Sequence, residues 1–353
     1  KVVVANTRIA EAERLKINVQ RAQSVYERLA MLVQNVAISR NIDQETLTVL
    51  EKASAPKRTF TQEISIVTMA GFGGLGTGLG IILLIAWRDD RFNSIGEITK
   101  KLATNVIGQL PDVQKLGKGE SDEPLLQLDD RRHAYAESYR TLRSALLFMT
   151  HAEDRPRVIL ITSAVPNEGK STVAANLART LAQGGSSVVL IDADMRKGVL
   201  HHLLKLKREP GLADVLRNPA LLDEVIQTHE NLSFSAISSG RLTGNAGDLL
   251  LGPAVDTIIK RLREQFEYVI IDSSPIFAAD DTSTLAPRVD GTLFVVRSRY
   301  SGARLVREAL DLLHQRQARV LGVVFNRANA SSRSYYYYKY AEYYPADNAV
   351  AGK

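Results

Sequence analysis

Residues 64–87, ISIVTMAGFGGLGTGLGIILLIAW, contain no Asp, Glu, Lys or Arg. A membrane-crossing helix needs about 20 such residues, so the run dictates a lipid-embedded helix or one buried on every side. Six glycines lie within it. Each costs roughly 1 kcal/mol in a soluble helix. In lipid, small residues instead let helices approach closely, and Gly74/Gly78 and Gly76/Gly80 each make a G-x-x-x-G pair. Trp87 followed by Arg88 suits the membrane interface. The expectation is a transmembrane helix over 63–87. Charge leaves its orientation open: Lys52, Lys57 and Arg58 precede it, and Arg88, Arg91, Lys100 and Lys101 follow.

The flanks differ in character. Within 5–36, Ala12, Leu15, Val19, Ala22, Tyr26, Leu29, Val33 and Val36 recur at a 3,4 spacing among charged residues. This predicts a long amphipathic helix, either a coiled-coil strand or a helix on a core. Residues 46–53 alternate briefly like a strand, and Pro56-Lys57-Arg58 breaks the pattern. The chain starts at Lys1 inside the helical pattern and reads as a fragment of a longer protein. After the span, SIGEITKKLA predicts a helix near 94–103, followed by VIGQLP and the polar linker QKLGKGESDEP.

Residues 133–330 read as one α/β domain. Apolar runs at 157–162, 187–192, 232–237, 268–272, 292–297 and 319–325 alternate with helical patterns such as 170–183 and 302–317. Continuous apolar strands separated by helices predict a doubly wound parallel sheet covered on both faces. The absence of cysteine excludes disulfides, thiol nucleophiles and cysteine metal clusters. The net charge of +6 favours an acidic partner. Basic and acidic residues are interspersed, so no nucleic-acid partner is expected.

The chemistry concentrates at strand ends. RVILITSAVPNEGKST (157–172) is strand, loop and helix start. Its candidate nucleotide-binding residues are Ser163, Ala164, Val165, Pro166, Asn167, Glu168, Gly169, Lys170, Ser171 and Thr172. Backbone N–H groups at the helix start bind phosphate oxygens, Lys170 reaches the β/γ-phosphates and Ser171 ligates Mg²⁺. Ala164 stands where the strict G-x-x-x-x-G-K-[ST] pattern has glycine. VVLIDADMR (188–196) ends in Asp192 and Asp194, and YVIIDSSP (268–275) places Asp272 at another strand end. Carboxylates there lie beside the phosphate loop and can hold Mg²⁺ directly or through water. Asn326, at the end of the last run, is the candidate adenine contact.

The set SAVPNEGKST, VVLIDADMR and YVIIDSSP resembles the Walker A, A′ and B motifs of bacterial tyrosine kinases (BY-kinases), the cytoplasmic domains of Wzc-type polysaccharide co-polymerases. The resemblance covers about residues 1–344. It implies a P-loop kinase domain joined to a transmembrane helix and part of a helical periplasmic domain. The implied parts are the end of a periplasmic chain-length-determinant domain (1–62), the transmembrane helix (63–87), a juxtamembrane segment and linker (88–132), the kinase domain (133–330) and a tyrosine-rich tail (331–353). ATP is cytoplasmic. Residues after 88 are therefore expected on the cytoplasmic side of a bacterial inner membrane and those before 63 in the periplasm.

The resemblance further implies an autokinase using ATP and Mg²⁺. Its catalytic residues would be Lys170, Asp192 and Asp194, its metal residues Ser171, Asp194 and Asp272, and its base Asp192 or else Asp194. The acceptors would be Tyr335, Tyr336, Tyr337, Tyr338, Tyr340, Tyr343 and Tyr344; composition alone also allows a sticky or sugar-binding tract. Glu137, Arg140 and Arg143, an E-x-x-R-x-x-R signature, fall on one helical face of about 120°. They would build a homo-oligomeric ring, an octamer by family resemblance; an exposed face carrying an ion pair is the plainer reading. Other implied partners are the membrane, a cognate tyrosine phosphatase and the machinery that polymerises and exports extracellular or capsular polysaccharide. The alternative function is a co-polymerase scaffold whose nucleotide domain binds without transferring.

Overall fold

A computed structural model describes residues 2–42, 60–115, 123–127, 130, 132–229, 232–241, 244 and 246–329. The chain divides into two compact units, Lys1–Leu79 and Gly80–Lys353. The expected strand at 46–53, the linker residues 116–122 and the tyrosine tail lie outside the described residues.

In the first unit, α1 (Val2–Ile42) is one uninterrupted helix. Its apolar residues Leu15, Val19, Tyr26, Leu29, Val33 and Val36 are exposed on the single chain. Helix α2 (Phe60–Arg88) contains the uncharged run. Over Ile64–Arg88 it is long and apolar enough to cross a membrane, with mean hydropathy 1.9 and none of that stretch buried. Two of its hydroxyls are satisfied within the helix. Thr68 donates to the Ile64 carbonyl at 2.7 Å and Thr77 to the Gly73 carbonyl at 2.8 Å. Such internal bonding is what a hydrocarbon environment requires of a hydroxyl.

The second unit is built on seven strands: β1 (Val106–Pro111), β2 (Val158–Ser163), β3 (Val188–Asp192), β4 (Ser235–Ile237), β5 (Tyr268–Asp272), β6 (Gly291–Arg297) and β7 (Val320–Ala328). All neighbours pair parallel, in the order β1-β7-β6-β2-β5-β3-β4. The helices are α3 (Ile95–Leu102), α4 (His133–Phe148), α5 (Lys170–Gln183), α6 (Leu200–Leu204), α7 (Leu212–Arg217), α8 (Leu222–Val225), α9 (Ala246–Leu251), α10 (Ala254–Gln265), α11 (Asp281–Leu285) and α12 (Ala303–Gln315).

Strand residues alternate between two cores. Leu160, Val189, Ile271 and Phe294 pack with α7, α10 and α12 on one face. Ile159, Leu190, Ile270 and Leu293 pack with α4 and α5 on the other. Both faces are apolar, which is why these strands read as unbroken runs rather than alternations.

The six expected runs are strands. VIGQLP, read as part of the juxtamembrane stretch, supplies a seventh by pairing with β7. Helix α4 lies across it, and a Cβ on Gly108 would meet Leu142 Cδ1 at 2.8 Å, so glycine permits this close approach.

The E-x-x-R-x-x-R residues on α4 separate into two roles. Glu137 and Arg140 pair at 3.1 Å and are 53% and 59% exposed. Arg143 turns inward, and its Nη1 donates to the Thr180 carbonyl at 2.9 Å, in the last turn of α5. A guanidinium there satisfies a carbonyl at the negative helix end. Arg143→Ala is therefore expected to lower unfolding free energy by about 1–2 kcal/mol, whereas Glu137→Ala with Arg140→Ala changes it by less than about 0.5 kcal/mol. Urea unfolding of the three chains checks the contrast.

Candidate active site

Strand β2, central in the sheet, ends at Ser163, and the chain loops at the strands' C-terminal ends to start α5 at Lys170. The loop is fastened internally. Ser163 Oγ donates to the Val165 carbonyl at 2.9 Å, and the Val165 N–H donates to Glu168 Oε2 at 2.9 Å. Glu168 is fully buried, and Ser301 donates to its other oxygen. Burial raises the Glu168 pKa, although the Ser301 and Val165 bonds oppose the rise. Gly169 closes the loop at φ +94°, and a Cβ there would collide with the Asn326 amide. Only glycine accepts both conditions without strain. No side chain caps α5, which leaves its first-turn N–H groups facing the loop for an anion.

Sequence reasoning missed a second layer of tethers. Tyr300 Oη donates to the Pro166 carbonyl at 3.1 Å and Arg297 Nη1 to the Asn167 carbonyl at 2.9 Å. The Asn326 amide donates to the Glu168 carbonyl at 2.9 Å. These groups lie on β7 and on the end and exit of β6, about 130 to 160 residues downstream. The segment beyond β6 is itself held by the chain after α2: Arg299 N–H donates to the Phe92 carbonyl at 2.8 Å, and Phe92 N–H to the Ser301 carbonyl at 3.2 Å. Asn326, the expected adenine contact, thus commits its amide to the loop.

The expected carboxylates converge because of strand register. Asp192 pairs with Asp272 across β3 and β5, and Asp272 with Ile161 of β2. Lys170 Nζ reaches Asp194 Oδ2 at 3.5 Å. Burial lowers the lysine's proton affinity, but Asp272, Asp194 and Asp192 more than offset this, so its pKa is raised and it stays charged. Asp194 Oδ1 accepts the Lys197 N–H at 2.9 Å. Asp192 is fully buried; its oxygens accept the Asp194 N–H at 3.2 Å and the Leu200 N–H at 3.1 Å. Burial, then the charge of Asp272, pushes its pKa well above the usual carboxylate range. Arg196, also unassigned by sequence, makes two contacts to buried Asp281, at 2.8 and 3.3 Å. Its signal was its place directly after DADM.

Asp272 is the residue whose surroundings most favour a cation. It is fully buried, and neither carboxylate oxygen makes a hydrogen bond of good geometry. Burial pushes its pKa up to about 6, against the pull of Lys170 and the nearby Ser171 hydroxyl. Among the described residues no group of three or more His, Asp or Glu forms a protein-only metal cage. Mg²⁺ needs none, because it binds through one or two carboxylates, waters and substrate phosphates. Ser171, Asp194 and the orphaned Asp272 fit that requirement.

A family profile described as ParA, NUBPL iron-transfer P-loop NTPase, matches residues 155–337. The chain is 30% identical to the putative tyrosine-protein kinase EpsB of Ralstonia nicotianae, over 94% of this chain and 46% of that protein. It is 29% identical to the succinoglycan biosynthesis transport protein ExoP of Rhizobium meliloti, over 80% of this chain and 39% of that protein. It thus spans less than half the length of these two relatives. The putative tyrosine-protein kinase CapB of Staphylococcus aureus is 30% identical over 62% of this chain and 96% of its own length. Among solved structures, the kinase domain of Escherichia coli tyrosine kinase ETK superposes with TM-score 0.61 at 25% identity, covering 68% of this chain and 96% of that domain. The profile match across half the chain, the near-complete coverage of CapB and the superposed kinase domain agree with the loop and carboxylates described above, and the chain belongs to the bacterial tyrosine-kinase family of ParA-type P-loop NTPases.

Proposed function

We propose that the chain is the anchored kinase portion of a protein tyrosine autokinase that uses ATP, phosphorylates its own tail in trans and regulates polymerisation and export of an extracellular or capsular polysaccharide. The observation that carries this reading is the orphaned Asp272 beside Lys170 and Asp194, under a preorganised phosphate loop. The boundaries 1–62, 63–87, 88–132, 133–330 and 331–353 divide the work. Residues before 63 are periplasmic and those after 88 cytoplasmic, across the inner membrane. Glu137 and Arg140 are the exposed part of the ring interface, an octamer in this reading. A cognate phosphatase resets the tail.

In the reaction, the loop N–H groups and Lys170 hold the phosphates and neutralise developing charge. A tyrosine Oη bonds to the γ-phosphorus while the bond to the β–γ bridging oxygen breaks, leaving ADP. Asp192 accepts the phenolic proton, the general-base task that a carboxylate beside the phosphates can fill for a phenol of pKa about 10. Asp194 positions Lys170. Ser171, Asp194 and Asp272 would hold Mg²⁺, which when bound would supply charge neutralisation on the phosphate oxygens. A non-transferring scaffold would still use Lys170, Ser171, Asp194 and Asp272 to bind nucleotide, so the two readings part at transfer to tyrosine.

The test mixes two chains with ATP and Mg²⁺. One carries Lys170→Met and an intact tail; the other has phenylalanine at all seven tail tyrosines. Phosphotyrosine on the Lys170→Met tail is the expected result. Label on neither that tail nor the unmodified parent would overturn the kinase reading.

A further inference from the structure

Outside the tail, the described residues of the second unit hold four tyrosines. Tyr135, Tyr139 and Tyr268 are buried, and Tyr300 alone is exposed, at 41%. Its hydroxyl is the one that rests on the phosphate loop, donating to the Pro166 carbonyl at 3.1 Å. Arg297 stacks on its ring, 4.8 Å from the centroid, while bonding the Asn167 carbonyl. The surrounding sequence, RSRYSGAR, places Arg297, Arg299 and Arg304 within four residues of it.

We propose that Tyr300 is a second phospho-acceptor, modified by another copy of this chain, and that its phosphorylation loosens the phosphate loop and lowers nucleotide affinity. The inference rests on the tyrosine-kinase reading. Topology disfavours transfer from the chain's own site: Tyr300 follows β6 and Asp192 ends β3, three strand spacings away in the order β6-β2-β5-β3, or roughly 14 Å. In this proposal a second copy presents its ATP. The Tyr300 oxygen bonds to the γ-phosphorus, the bridging bond to ADP breaks, and the phenolic proton passes to that copy's Asp192.

The consequence follows from hydrogen-bond chemistry. An ester oxygen carries no proton, so the bond to the Pro166 carbonyl is lost. A phosphate of charge about −1.5 to −2 then faces that carbonyl oxygen and repels it. The same dianion attracts the Arg297 guanidinium away from the Asn167 carbonyl, because a charged acceptor outcompetes a neutral one. Both tethers on Pro166 and Asn167 fail together, while those of Glu168 to Ser301 and Asn326 remain. The loop stays folded but is less well preorganised for phosphates.

The experiment uses the full chain with all seven tail tyrosines replaced by phenylalanine, incubated with ATP and Mg²⁺ and mapped for phosphotyrosine. Phosphate on Tyr300 is expected, and Tyr300→Phe in the same background should remove it. Titration with ADP then compares the Tyr300-phosphorylated chain before and after tyrosine-phosphatase treatment. Phosphorylation should weaken ADP binding by about ten-fold, the loss of two modest hydrogen bonds, and dephosphorylation should restore it. A parent chain that labels its tail while Tyr300 stays unmodified overturns this inference and leaves the kinase reading standing. A phosphorylated Tyr300 with unchanged ADP affinity overturns the regulatory half. No phosphotyrosine on the parent removes both.

Discussion

Lys170→Met is expected to lower tail phosphorylation by at least roughly 10²–10³-fold, the loss typical of removing one preorganised charge stabiliser. The lysine's partners are Asp272, Asp194 and Asp192 rather than the apolar core, and the remaining contact of its Nζ is Asp194 at 3.5 Å. Without the cation the buried carboxylates take up protons instead of remaining charged and unpaired. The chain should therefore keep its fold. Circular dichroism verifies the fold, and phosphotyrosine mapping reads the transfer. Normal phosphotyrosine in the folded variant would remove Lys170 from the mechanism.

Asp272→Asn should have effects of opposite sign on activity and stability. Asp272 is fully buried, and burial lifts its pKa from the ordinary 3.8 to about 6. The folded chain thus holds this proton more tightly than the unfolded chain. Its favourable contribution is complete below about pH 4 and is lost as pH rises through about 6. A difference of about two pK units corresponds to roughly 3 kcal/mol. In the absence of divalent cation, Asp272→Asn should flatten this dependence and be more stable than the parent at pH 7.5, by up to about 3 kcal/mol. Transfer should fall by about 10²-fold or more, because the carboxylate that serves the metal is gone. Urea midpoints between pH 4 and 7.5 decide the stability half. A variant less stable than its parent at pH 7.5 would show that the charge is compensated in the folded chain.

The site was legible in sequence where its chemistry is local. Gly169-Lys170-Ser171, Asp192, Asp194 and Asp272 each follow a continuous apolar run, and parallel strands buried on both faces leave that trace. Register then brings Asp192 and Asp272 together without any further signal. The tethers were not legible. Arg297, Tyr300 and Ser301 lie 130 to 134 residues from the loop residues they hold, and nothing in RSRYSGAR specifies that contact. Strand β1 was hidden for another reason: it lies at the sheet edge, is interrupted by Gly108 and Gln109 and ends in Pro111, so it lacks the unbroken apolar run of a central strand. Helical angle placed Glu137, Arg140 and Arg143 on one face, but it could not show that α5 approaches closely enough to take Arg143 for itself. The length and composition of 64–87 were sufficient for α2, because both the hydrophobic length and the lack of charge are read directly.

The central claim is that this loop and its carboxylates transfer phosphate to tyrosine. The most direct measurement reconstitutes the full chain in lipid vesicles with ATP and Mg²⁺, then maps phosphate by mass on every tyrosine. Phosphate on the cluster Tyr335, Tyr336, Tyr337, Tyr338, Tyr340, Tyr343 and Tyr344, absent from Lys170→Met incubated alone, is the predicted result. Nucleotide bound and hydrolysed with no phosphate on any tyrosine would contradict it.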